Sequence, residues 1–84
     1  MKHYTSPSFW EHFNKQQPEI QKLVEKKFQL LKENPNHPSL HLKKVLSYYS
    51  VRVGIRHRAL AVEINKGLLW FWIGTHSEYD ELIN

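Results

Sequence analysis

The chain has no cysteine, only three glycines in 84 residues, and no acidic residue between Glu33 and Glu63. Each shortage excludes something. Without cysteine, neither a disulfide nor a thiolate zinc site can staple the fold, which suits a reducing compartment. No Gly-rich phosphate loop is present, and there is neither a nucleophile elbow nor a paired-carboxylate cleft. No segment is apolar for long enough to span a bilayer, and residues 1–9 lack the apolar stretch of a signal peptide. A cytoplasmic location with no membrane partner is therefore expected. The acid-free segment is the most informative gap, for it carries Lys43, Lys44, Arg52, Arg56 and Arg58 with His37, His41 and His57. Exposed faces ordinarily mix both signs, so this run asks for an anionic counterpart, first among them a nucleic-acid backbone.

What is present fits one small domain spanning 1–84, with neither internal repeat nor linker. At this size burial only modestly exceeds chain entropy, so the core needs large side chains. Trp10, Trp70, Trp72 and four phenylalanines supply them. Net charge is +4, yet Glu78, Asp80 and Glu81 make the C-terminal end acidic.

Ser6-Pro7 reads as a helix start, serine capping and proline opening the first turn. Phe9, Trp10 and Phe13 form its apolar stripe. Pro18 opens a second helix in which Ile20, Leu23, Val24, Phe28, Leu30 and Leu31 recur at helical spacing until Asn34-Pro35. The short connection predicts an antiparallel helical hairpin. Lys27 falls inside the apolar arc, as a snorkelling lysine or through a small phase drift. Beyond residue 39 the period changes to two, and 48–53, 58–64 and 68–75 read as strands. Asn65-Lys66-Gly67 suits a three-residue hairpin loop, with Gly54-Ile55-Arg56 as its equivalent one turn earlier. Ser77 to Asp80 has capping-box spacing and starts a short terminal helix.

These loops imply a register. Arg52 should face Arg58, and Val51 should face Ala59; Leu60 should face Trp72, and Val62 should face Trp70. Tyr49, Val51, Val53, Ala59, Ala61, Leu69, Phe71 and Ile73 then form the core face. The opposite face collects Arg52, Arg58, Trp70, Trp72 and His76. Two arginines directly opposite each other are unfavourable unless an anion or carboxylate lies between them. A basic, aromatic sheet surface suits phosphates and stacked bases, and equally a protein partner that covers exposed aromatics.

A helical hairpin followed by YSVRVG, HRALAVEI, LLWFWIGTH and a short terminal helix resembles the RelE/ParE family of bacterial toxins. The NPNHPSLHLKKV segment is similar to that family's Pro-containing loop and basic region. The resemblance implies an α+β domain: the helical hairpin packed on an antiparallel sheet of three to four strands, with a short C-terminal helix. The first strand would be short or missing. It also implies the toxin of a toxin–antitoxin pair, with a cognate antitoxin as partner. The activity implied is cofactor-free, metal-independent cleavage of mRNA at the ribosome, or else non-catalytic binding of RNA or DNA gyrase. On this reading Arg58, Arg52, His76 and Tyr79 form the catalytic group, and Lys43, Lys44, Arg56, Trp70 and Trp72 bind RNA. The sequence departs from the family in three respects: residues 1–5 are shorter than its usual first strand, no loop glutamate falls in 34–62, and Thr75-His76 stands where a His-Arg pair is common.

The chemistry fits those residue types. Attack of a 2′-hydroxyl on phosphorus needs a base, cationic stabilisation of the phosphorane, and an acid for the leaving oxygen. A guanidinium grips two phosphate oxygens at once. An imidazole, as at His76 or His57, is a side chain suited to proton transfer, and Tyr79 offers a hydroxyl. His37 and His41 are four apart, but Pro38 prevents the helix that would align them as metal ligands.

Overall fold

Two prolines set where the helices begin. In the computed structural model, which describes residues 2–84, the elements run β1 (Lys2–Thr5), α1 (Pro7–Asn14), α2 (Pro18–Glu33) and a single 3-10 turn (Pro38–Leu40). Then follow β2 (Lys43–Val45), β3 (Tyr48–Arg52), β4 (His57–Ile64), β5 (Gly67–Thr75) and α3 (His76–Ile83). Ser6 caps α1 through Phe9 N–H, as its position before Pro7 leads one to expect. Among the described residues no helix is long and apolar enough to cross a membrane.

The sheet is five-stranded and mixed, in the order β1-β5-β4-β3-β2. The expectation of a purely antiparallel sheet of three to four strands is therefore corrected at both edges. β2 adds an antiparallel edge to β3, Lys43 lying opposite Ser50. β1 does form, and it runs parallel to β5, from Lys2 beside Gly67 to Thr5 beside Trp70. Parallel pairing needs a long crossover, here the whole stretch of helices and strands between them. Gly67 has φ 152°, and a Cβ there would collide with the Lys2 carbonyl, so the close approach of β1 requires glycine.

The 54–56 loop sets the register the sequence implies. Val53 N–H donates to the His57 carbonyl at 3.0 Å, Arg52 lies opposite Arg58, and Val51 opposite Ala59. The β4–β5 hairpin starts differently, with Ile64 opposite Gly67 around Asn65-Lys66. It recovers the expected pairing further along, where Leu60 faces Trp72 and Arg58 faces Gly74. Between the two, Ala61 faces Trp70 and Phe71 is the extra residue of a β-bulge. Ser8 Oγ donates to the Phe71 carbonyl at 2.9 Å and ties the bulge to α1.

The bulge corrects the face assignment. Leu68 and Trp70 enter the core in place of Leu69 and Phe71, joining Phe9, Val24, Leu31, Val51, Val53, Ala59, Ala61 and Ile73. Trp70 is fully buried. Its ring lies 5.4 Å from Phe28, which in turn stacks on Phe9 at 5.3 Å, so α1, α2 and β5 meet around it. Its indole N–H donates to His3 Nδ1 at 3.1 Å, the partner a buried tryptophan needs. Phe71 turns to the other face and packs beside Tyr48.

Lys27 in the apolar arc also has an explanation. Its ammonium donates to Ser39 Oγ at 3.1 Å, and Ser39 in turn hydrogen-bonds His37 Nδ1 through its hydroxyl and its N–H. The charge leaves the core by bridging α2 to the 3-10 turn. α3 begins two residues earlier than expected. Thr75 and Ser77 both open a frame of capping-box spacing, and Thr75 wins because its third residue on is a true glutamate. Glu78 N–H donates to Thr75 Oγ1 while Thr75 N–H donates to Glu78 Oε1 at 2.8 Å. Those donors hold the Glu78 carboxyl below its ordinary range.

Candidate functional site

Strand alternation sorts the basic residues. On the face away from α1 and α2, one row crosses the sheet as Arg52, Arg58 and Gly74, and the next as Lys43, Ser50, Leu60 and Trp72. Glycine at the end of the first row is covered by the Trp72 ring and the Glu78 carboxylate, which leave no room there for a Cβ.

α3 lies over part of this face. Tyr79 packs with Leu60 and Trp72 as a second, smaller apolar cluster, flanked by Tyr48, Phe71 and Ile83. The Arg58 guanidinium lies 5.4 Å from the centre of the Tyr79 ring, within cation–π range. Arg58 is only 6 % exposed and Tyr79 3 %. Arg58 Nη1, Arg52 Nε, Tyr79 OH and Ser50 Oγ are all buried without a hydrogen-bond partner among the described residues. Four such groups on one small patch are not a packing accident, since each unpaired buried polar group costs free energy and a charged one costs most. The chemistry of these groups, two guanidiniums that fork onto oxygens and two hydroxyls, with no carboxylate paired to them among the described residues, suits an anion.

The other expected residues separate into distinct places. Lys43, exposed, shares this face with Ser50. Lys44 projects to the opposite face, with its ammonium 5.9 Å from the Tyr49 ring. Trp72 lies on the expected face but is roofed by α3 and only 8 % exposed. Trp70 lies in the core, and a role in stacking bases is withdrawn for it. Arg56 is exposed in the loop before β4, and its carbonyl accepts from His76 N–H at 2.6 Å. Arg56, His57, Thr75, His76 and Ser77 line a cleft of about 560 Å³ at that end of the sheet. His76 is half-exposed, with Nδ1 3.1 Å from Asp80 Oδ2 and its ring 5.7 Å from that of Tyr79. It reaches Arg58 only through Tyr79. Burial lowers the pKa of His57, which Glu78 partly offsets. Among the described residues no three His, Asp or Glu side chains converge as metal ligands would.

One residue set aside in the sequence as a metal ligand lies within the electrostatic influence of these arginines. His41 ends the 3-10 turn in a left-handed conformation, φ 48°. Its imidazole pKa is lowered, chiefly by Arg52 and further by slight burial, Arg58, Lys43 and Lys27. The available signal was its position inside the acid-free run.

No known protein family and no curated protein matches the sequence. Solved structures do match the fold. A chain of the RelB–RelE antitoxin–toxin complex from Methanococcus jannaschii superposes with TM-score 0.73 at 13% identity, over 96% of this chain and 99% of that one. The YoeB/ParE toxin from Agrobacterium tumefaciens gives 0.63 at 18% identity, over 90% and 99%. A chain of the YoeB–YefM complex from Staphylococcus aureus gives 0.55 at 24%, over 90% and 97%. Over nearly its whole length, the chain has the fold of the RelE/YoeB/ParE toxins.

Proposed function

We propose that the protein is the toxin of a bacterial toxin–antitoxin pair and cleaves mRNA on the ribosome without a metal. The observation that carries this reading is the Arg52–Arg58 row, two facing cations with buried nitrogens left unpaired. A scissile phosphate between them would satisfy both and gain most when its charge rises in the phosphorane. The Tyr79 hydroxyl, beside Arg58, is the donor for the leaving oxygen. Lys43 lies one row away, where it meets the flanking backbone. The fold relatives include two antitoxin complexes, and this chain leaves Leu46, Ile55 and Leu82 exposed for such a partner to cover.

The test is primer extension on mRNA from translating ribosomes exposed to the purified protein, with EDTA present in one arm. New 3′ ends in both arms are expected, along with growth arrest on expression that an adjacent acidic partner relieves. A second reading, a binder of RNA or gyrase, is favoured by one observation: residues 34–62 supply no carboxylate to act as a base. Binding to either target with no cleavage on ribosomes would establish it.

The two lysines differ in predicted effect. Lys43→Ala should weaken RNA binding and reduce the slope of log affinity against log salt by roughly 0.7–1. Lys44→Ala, on the other face, should leave both nearly unchanged. Equal losses in filter-binding titrations across salt would refute the face assignment.

A further inference from the structure

On the proposed reading, the site has a phosphate clamp and a donor but no assigned base. We propose that His41 is the base that takes the proton from the attacking 2′-hydroxyl. The argument starts from register. Lys43 lies opposite Ser50 and Lys44 opposite Tyr49. Two residues before Lys43 and two after Ser50, His41 and Arg52 lie at the same end of this strand pair. The 3-10 turn that carries His41 packs against β3. The turn is held from behind by Lys27, Ser39 and His37, and His41 N–H donates back to the Pro38 carbonyl at 3.3 Å. The imidazole is thus carried, exposed, on a fixed turn packed at the Arg52 end of β3.

The electrostatics suit a base. Arg52 from β3, Arg58 from β4, Lys43 from β2 and Lys27 from α2 all disfavour the imidazolium. Together they lower its pKa from the ordinary imidazole value, and so favour the deprotonated form that a base requires. A phosphate bound between the arginines offsets part of their charge, which makes the imidazole a better proton acceptor once substrate is in place. In the reaction, His41 takes the proton, O2′ bonds to phosphorus and the P–O5′ bond breaks. Tyr79 gives its proton to the leaving O5′, and solvent returns the proton from His41 to Tyr79. The products are a 2′,3′-cyclic phosphate and a 5′-hydroxyl.

The experiment is single-turnover cleavage of ribosome-bound mRNA across pH 4.5–8.5 with wild type, His41→Asn and His41→Gly. Asparagine and glycine both accept the left-handed backbone, so the turn survives. Wild type should lose activity at acid pH with a midpoint below the ordinary histidine value of 6.5. Both variants should lose on the order of 100-fold in rate and that acid limb, while ribosome affinity is kept. Added imidazole should restore part of the His41→Gly rate. Independently, a titration of the His41 ring resonances should move toward higher pH when inorganic phosphate is added and in Arg52→Ala. If wild type cleaves while the variants keep its rate and acid limb, the base is elsewhere and His41 is refuted alone. If wild type cleaves nothing, the nuclease reading falls and His41 with it. A His41 titration unmoved by phosphate or by Arg52→Ala refutes the coupling of His41 to the arginines.

Discussion

Arg58→Met should abolish most cleavage and at the same time raise the melting temperature. Methionine keeps the unbranched stem against Tyr79 and removes a buried cation that faces Arg52 and has an unpaired nitrogen. Loss of a group that stabilises developing phosphorane charge should lower the rate by on the order of 100-fold or more, with binding changed far less. Removing the like-charge pair should stabilise, because apolar replacement of a buried charge is commonly neutral to favourable by about 1–4 kcal/mol. Primer extension and thermal unfolding measured on the same preparations check both halves. An active variant would free Arg58 from the chemistry. An inactive but less stable one would mean that the guanidinium is satisfied inside the protein, and that it awaits no anion.

Trp70→Ala should have the largest effect on stability. The ring is fully buried where α1, α2 and β5 meet, and its N–H is satisfied by His3. Emptying such a site costs about 3–5 kcal/mol. At about 0.05–0.15 kcal/mol per residue, a domain of this length has a total stability of roughly 4–13 kcal/mol, so the variant should be partly unfolded at room temperature or close to it. Urea denaturation measures the change. Intact stability with weakened RNA binding would instead put the indole on the open face and show the bulge to be misplaced.

That bulge marks where sequence reasoning stops. Strand alternation is readable only while polar residues punctuate it. In β3 and β4 they do: Ser50, Arg52 and Arg58 alternate with valines and alanines, and the facing arginines follow from the 54–56 loop. Leu68 to Ile73 are apolar without interruption, so a one-residue insertion at Phe71 leaves no trace in the pattern. The edge strands were illegible for another reason. Lys2 to Thr5 and Lys43 to Val45 are too short and polar to announce themselves, and each is a strand because a neighbour already in place offers it hydrogen bonds. The position of Tyr79 was not legible, since whether a terminal helix roofs the sheet or leaves it depends on packing. For His41 the sequence showed only a place in the acid-free run and a metal role excluded by Pro38; that its turn packs against β3 is a matter of tertiary structure.

The parallel β1–β5 pairing has a consequence for the order of events during synthesis. β1 is made first among the described elements, but its partner follows both helices and three other strands. α1 also packs chiefly on β5. The first strand and helix of a growing chain therefore have no docking surface until Gly67 to Thr75 have left the exit tunnel, and contacts so distant in sequence form late. Tyr79, which covers Arg58, comes later still. A polypeptide stopped short of α3 would expose two bare arginines and an unroofed Trp72. On the proposed function, the machine that builds this protein is also its target, and the clamp is left incomplete until translation has passed every strand.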